Sequence, residues 1–123
     1  MPAPSAIARL TDIVEAVELI RGELAGMTLQ GLESDKRTRW LVERGIEIIS
    51  EASRHLTEEL KARHPEIPWS KVAGIGNVLR HEYERVAHDV LWRVVHGDLP
   101  PLEVVCREEL ARLQAAEWES PEA

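Results

Sequence analysis

Phenylalanine is absent from this chain of 123 residues, and cysteine and tyrosine each occur once, as Cys106 and Tyr83. With the aromatic weight resting on four tryptophans and that tyrosine, Leu, Ile, Val and Ala must fill the interior, as expected for packed helices. One cysteine excludes an intramolecular disulfide and a Cys-rich metal site. Its place in an apolar helical pattern predicts a buried thiol. No stretch approaches the roughly 20 apolar residues needed to span a bilayer, and the N-terminal MPAPSAIARL lacks the basic-then-apolar pattern of a secretory signal. No membrane association and a cytoplasmic location are therefore expected. Positive charge is also scarce: 15 Lys and Arg face 22 Asp and Glu, a net −7. Nonspecific nucleic-acid affinity comes from cations that release counterions, so a general polyanion binder is disfavoured and DNA is not an expected partner. A local basic pocket remains compatible with that balance.

What is present is a soluble globular composition, 44% apolar and 30% charged, in a length that fits one domain. Residues 1–5 and 118–123 read as flexible ends. Ile7, Leu10, Val14, Val17 and Leu24 recur at three-to-four spacing, which marks one helix face. Ser5 can cap its start and Gly26 follows its end. Leu41, Ile48, Ile49, Ala52, Leu56 and Leu60 lie on a second stripe. That helix is expected to start near Ser34 or Asp35 and to stop before Pro65, nearly thirty residues in all.

Pro68 suits the first turn of a third helix, with Trp69, Val72, Ile75 and Leu79 inward. A fourth, short helix carries Val90, Leu91, Val94 and Val95 and ends at Gly97. Pro100 opens a fifth, with Leu102, Val105, Cys106, Leu110 and Leu113 inward, and the acidic tail EWESPEA is expected to fray. Strand alternation, repeats and low-complexity segments are missing. The prediction is an all-α, up-and-down bundle of about five helices, with a second copy covering part of the long helix.

Most motif readings fail on spacing. HEYERVAH places Arg85 where a zinc-binding helix would need its second histidine. Gly74 and Gly76 follow no strand, so they form no nucleotide fingerprint, and Gly74 is read as a site of close helix packing. No cofactor is implied. His55, His64, His88 and His96 read as solvated, and Trp40, Trp69, Trp92 and Trp118 as core or interface anchors. SDKRTR (34–39) reads as a solvated helix start, with Arg39 available to face a partner.

The stretch GIGNVLRHEYER (74–85) differs from these. It gathers Asn77, Arg80, His81, Glu82 and Tyr83. Residues two apart on a helix point about 200° away from each other, so His81 and Tyr83 share a site only if the helix ends near Arg80. Histidine can give or take a proton near neutrality. Arginine can hold a phosphate bidentately, and Asn77, one turn before His81, can orient it. This set suits phosphodiester cleavage with a ribose 2′-hydroxyl as internal nucleophile and no metal. Glu82, Gly76 and Arg39 are further positions that could line such a site.

RWLVERGIEIISEASRHL (39–56), the Pro-Trp pair at 68–69, GIGNVLRHEY (74–83) and VLWRVVHGDLPPL (90–102) together resemble the HepT-like ribonuclease family of the HEPN superfamily. The likeness runs in order over about residues 7 to 113. It implies a helical homodimer whose polar motifs meet at a cleft, acting as a metal-independent RNA endonuclease, the toxin of a bacterial toxin–antitoxin pair. It also implies an MntA-like minimal nucleotidyltransferase as antitoxin, which adds AMP to the motif tyrosine, here Tyr83. The alternative it leaves is a non-catalytic HEPN-like subunit that binds a nucleotide or the partner. The family's histidine, tyrosine and asparagine fall on His81, Tyr83 and Asn77. Its arginine falls on Gly76, and Arg80, one turn on, is the expected replacement. A second departure is Ala87-His88, where the family often has Asp-Pro.

Overall fold

Side-chain caps decide where the helices begin. In the computed structural model, which describes residues 5–82 and 88–119 (backbone alone for 80–82 and 117–119), α1 spans Ala6–Leu24 and α2 Leu29–Ser34. Then come α3 at Lys36–Arg54, α4 at Glu58–Ala62 and α5 at Trp69–Glu82. The chain closes with α6 at His88–Arg93, a π-helical turn at Val94–Asp98 and α7 at Leu99–Glu119. Ser5, Thr28, Asp35 and Thr57 each accept a hydrogen bond from the backbone N–H three residues on, at 3.0–3.3 Å. Each such cap contributes about 1 kcal/mol. Asp35's carboxyl is held below its ordinary range mainly by the Thr38 N–H. Gly26 takes φ +75° after α1, a conformation that side chains rarely adopt.

Neighbouring long helices run antiparallel. Arg107 at the middle of α7 reaches Glu18 of α1, while Glu103, a turn earlier, meets Arg21. On the other side, Ser50 of α3 bonds Ala73 and Gly76 of α5, and Glu47 lies beside Gly76. Thus α1 lies between α7 and α3, and α3 between α1 and α5. Leu10, Ile13, Val17, Ile20, Val42, Ile46, Ile49, Leu102 and Cys106 fill the shared core, all at most 1% exposed. Burial pushes the Cys106 thiol up to about 12, so it is an inert apolar filler. Among the described residues every regular element is helical, and no helix is long and apolar enough to cross a membrane. The all-α up-and-down architecture is as expected, with seven α-helices among the described residues rather than about five.

Three expectations are corrected. The thirty-residue helix is two: α3 stops at Arg54, and Thr57, with Glu58 and Glu59 in the next turn, starts α4 with a new cap. The inward side of α3 carries Val42 and Ile46, while Leu41 stands exposed. The helix over residues 88–97 does not end at Gly97. Pro100 and Pro101 have no N–H to give an α-helical ladder, and the chain instead passes through the π turn, where Leu99 N–H reaches Val94 O.

Candidate active-site seam

Of the predicted site residues, Gly76 lies on the line where α5 meets α3. Gly76 is buried, and a Cβ placed on it would meet Ser50 Oγ at 2.8 Å and Ser50 Cβ at 2.9 Å. The Ser50 hydroxyl donates to Ala73 O at 2.6 Å and accepts from Gly76 N–H at 3.3 Å. Arg54 adds two bonds to the same carbonyl, at 3.2 and 2.8 Å. The close approach therefore belongs to Gly76; at Gly74, where it was expected, a Cβ would meet nothing within 4 Å. The space an arginine at 76 would need is filled by α3.

Asn77 follows on the exposed side of α5, next to a partly exposed Val78. The helix continues through Arg80, His81 and Glu82, so it does not end near Arg80 as a site shared by His81 and Tyr83 would need. Arg80 is four residues beyond Gly76 and shares its helix face. The antiparallel register, with Glu47 opposite Gly76, places Glu43 alongside that last turn. Tyr83, together with Arg85 and Ala87, lies outside the described residues.

Glu43, which sequence reasoning left out, is the residue of α3 alongside this turn. Glu43 is half-buried, and desolvation pushes its carboxyl above the usual range; Glu47 pushes the same way, whereas Arg39 and His88 oppose it. His88, read as solvated, is therefore close enough to act on Glu43. A carboxyl whose burial favours the protonated form is suited to giving or taking a proton. The signal available in sequence was the stripe Lys36, Trp40, Glu43, Glu47, Ser50 and Arg54, at four-three spacing on one face of α3. Arg39 itself donates to the Leu32 carbonyl at 3.1 Å and to the Glu33 carbonyl, closing the end of α2. Its guanidinium is thereby held at the α2–α3 corner.

The remaining histidines divide. His55 lies on Glu51 at 3.0 Å, and exposed His96 packs on Trp92 with ring centroids 4.2 Å apart. His64 is not solvated: its Nε2 is 2.6 Å from Glu109 Oε2, and its side chain is largely covered. Trp69 anchors the same corner by donating to the carbonyls of Lys61 and His64 at 3.1 and 3.0 Å. Trp40 is no core anchor, being 64% exposed. Among the described residues no three His, Cys, Asp or Glu side chains are grouped to hold a metal ion.

The sequence model of the Ribonuclease HepT-like family matches residues 13–109. A protein of Thermococcus cleftensis named as a probable ribonuclease HepT is 41% identical over 93 residues, covering 76% of this chain and 84% of its own length. A Methanocaldococcus jannaschii protein that carries an RNase designation is 30% identical over 93 residues, 76% of this chain and 85% of that one. A third relative, from Caldanaerobacter subterraneus subsp. tengcongensis and also designated an RNase, is 28% identical over 103 residues, covering 84% and 92%. No solved structure matches the chain.

Proposed function

Because the chain belongs to the Ribonuclease HepT-like family, we propose that it is an RNA endonuclease whose reacting groups sit at the C-terminal turn of α5. The observation that carries the reading is the family match itself, which runs across the whole of α5 and so includes Asn77, Arg80 and His81. His81 takes the proton from a ribose 2′-hydroxyl, O2′ attacks the adjacent phosphorus, and the bond from phosphorus to O5′ breaks. The leaving O5′ receives a proton, and the other strand end retains a 2′,3′-cyclic phosphate. Arg80 neutralises the charge that builds on the phosphate oxygens. Glu43 is the second group able to exchange a proton there. The nucleophile is part of the substrate, so the scheme calls for no metal.

We further propose that a homodimer brings two such turns together. Under this reading the protein is a toxin held in check in the cytoplasm by an MntA-like nucleotidyltransferase. AMP on Tyr83 would add bulk and negative charge next to phosphate-binding groups and so repel RNA. The second reading, a non-catalytic HEPN-like subunit, is favoured by one feature: Gly76 stands at the family's arginine position, with Ser50 packed over it.

RNA cleavage by the purified protein in EDTA separates the two. Wild type should cut, and His81→Ala should lose about 10²- to 10⁴-fold in rate. No cutting by protein that mass spectrometry shows unmodified at Tyr83 would remove the nuclease reading. Cleavage that survives Arg80→Ala unchanged would remove the arginine's role alone. A mass gain on Tyr83 after incubation with the nucleotidyltransferase and ATP tests the regulation.

A further inference from the structure

Trp40 is the most exposed aromatic side chain among the described residues, at 64%. It stands on the α5-facing stripe of α3, seven residues before Glu47, which lies beside Gly76. At 1.5 Å rise per residue Trp40 is about 10 Å along the seam from Gly76. His81, five residues after Gly76 on the antiparallel helix, is about 7.5 Å along it in the same direction. Position 40 therefore stands within about one helical turn of the proposed catalytic turn along the seam.

Its surroundings run against the charge of the whole protein. Residues 36–44 carry Lys36, Arg37, Arg39 and Arg44 against the single acid Glu43, in a chain of net charge −7. Lys36 Nζ lies 5.8 Å from the centroid of the Trp40 ring, a cation–π contact. Arg37 is exposed, and Arg44 is mostly exposed and loosely paired with Glu47 at 3.4 Å. Arg39 is held on the α2 carbonyls. The Thr38 amide in the first turn of α3 is already used by Asp35, and the exposed cations here are side chains.

We propose that Trp40, with Lys36, Arg37 and Arg44, is a stacking platform for single-stranded RNA: an unpaired base lies on the indole while the cations take the flanking phosphates. Every base has a π face, so such a platform binds without strong sequence preference, whereas bases stacked inside a duplex are unavailable to it. The patch is positive in an acidic chain and a second copy set on it patch to patch would oppose like charges, which argues for a polyanion as the occupant. The inference rests on the RNase reading and specifies the form of its substrate.

The test measures binding of a short fluorescein-labelled single-stranded RNA of mixed sequence to the His81→Ala protein, where the probe is not cut. Adding Trp40→Ala should weaken binding roughly 5- to 100-fold. Trp40→Phe should restore most of it and Trp40→Leu should not. The same RNA annealed to its complement should be indifferent to all three. Lys36→Ala and Arg37→Ala should each lower the slope of log affinity against log salt by about 0.7. In the cutting enzyme, Trp40→Ala should raise KM and leave kcat unchanged.

Unchanged affinity in Trp40→Ala overturns the proposal. So does a variant set in which Trp40→Leu restores binding, or in which Trp40→Ala alters only the molar mass in light scattering, since either makes Trp40 a protein–protein contact. If wild type cuts nothing in EDTA but Trp40-dependent binding persists, the nuclease reading fails and the platform stands.

Discussion

The two sides of α3 and α1 are held together by different chemistry. Where α7 meets α1 and the α4–α5 corner, buried carboxylates are saturated with cations. Glu103 is paired to Arg21 and to Arg107 at 2.9 Å, and Arg107 also reaches Glu18 at 2.8 Å. Glu109, with 4% of its side chain exposed, takes Arg63 at 2.9 Å, His64 at 2.6 Å and Arg112 at 3.3 Å. Where α3 meets α5, small residues do the work: Ser50, Ala73 and Gly76 bring two backbones together. Charges at the end of that seam, Lys36 and Arg37 among them, face outward. Charge that is neutralised internally serves the fold, and charge that is left facing solvent can meet a ligand.

Removing the most enclosed charge should have the largest effect. Hydrogen bonds from Arg63 and His64, with the fields of Arg63 and Arg112, hold the Glu109 carboxyl at about 2, against the opposing pull of desolvation. A carboxyl whose folded value is depressed contributes stability that is present above its unfolded pKa, near 4.3, and lost as pH falls through the folded one. Stability should therefore decline from about pH 4.5 towards 2. Glu109→Gln should cost on the order of 3 kcal/mol at pH 7 and flatten that decline. Urea unfolding across pH checks both, and cleavage by the folded fraction should be unaffected. A variant as stable as wild type at pH 7 would show that the network contributes nothing net.

The seam should break through volume instead. Gly76→Ala puts a Cβ 2.8 Å from Ser50 Oγ, an overpacking worth about 1–3 kcal/mol. The cost should shrink when Ser50→Gly is added, whereas independent sites would give additive losses. Calorimetry of the two single variants and the double variant measures the coupling. Gly76→Arg should destabilise more than alanine does, because its longer side chain meets the same Ser50.

The smallest effect belongs to an exposed charge of the first region. Glu18→Gln removes a bond to Arg107 between side chains that are half exposed, and the melting temperature should not move measurably. A clear fall would mean that the number of ion pairs, rather than their burial, supports the α1–α7 side.

How much of this was legible in the sequence differs between the two regions. Apolar spacing and capping residues gave α1, the start of α3 at Asp35 and the opening of α7 near Pro100, because those signals act within a few residues. The split between α3 and α4 was carried by Thr57, and apolar residues continuing at helical spacing on both sides masked it. The motif His81, Arg80 and Asn77 was visible as chemistry. Glu43 and His88 were not, since they are far apart in the sequence and only the fold brings the field of one onto the other.

By itself the sequence determined the all-helical class, the buried thiol and the polar motif on the helix after Pro68. Each follows from residue type and short-range periodicity, which act within a few residues of the chain. Only the tertiary structure decided that Gly76, rather than Gly74, is the glycine α3 cannot do without. It also turned His64 inward on Glu109 and left Trp40 outside. A helix presents every residue to some direction, and which direction is core is settled by the neighbour that packs there.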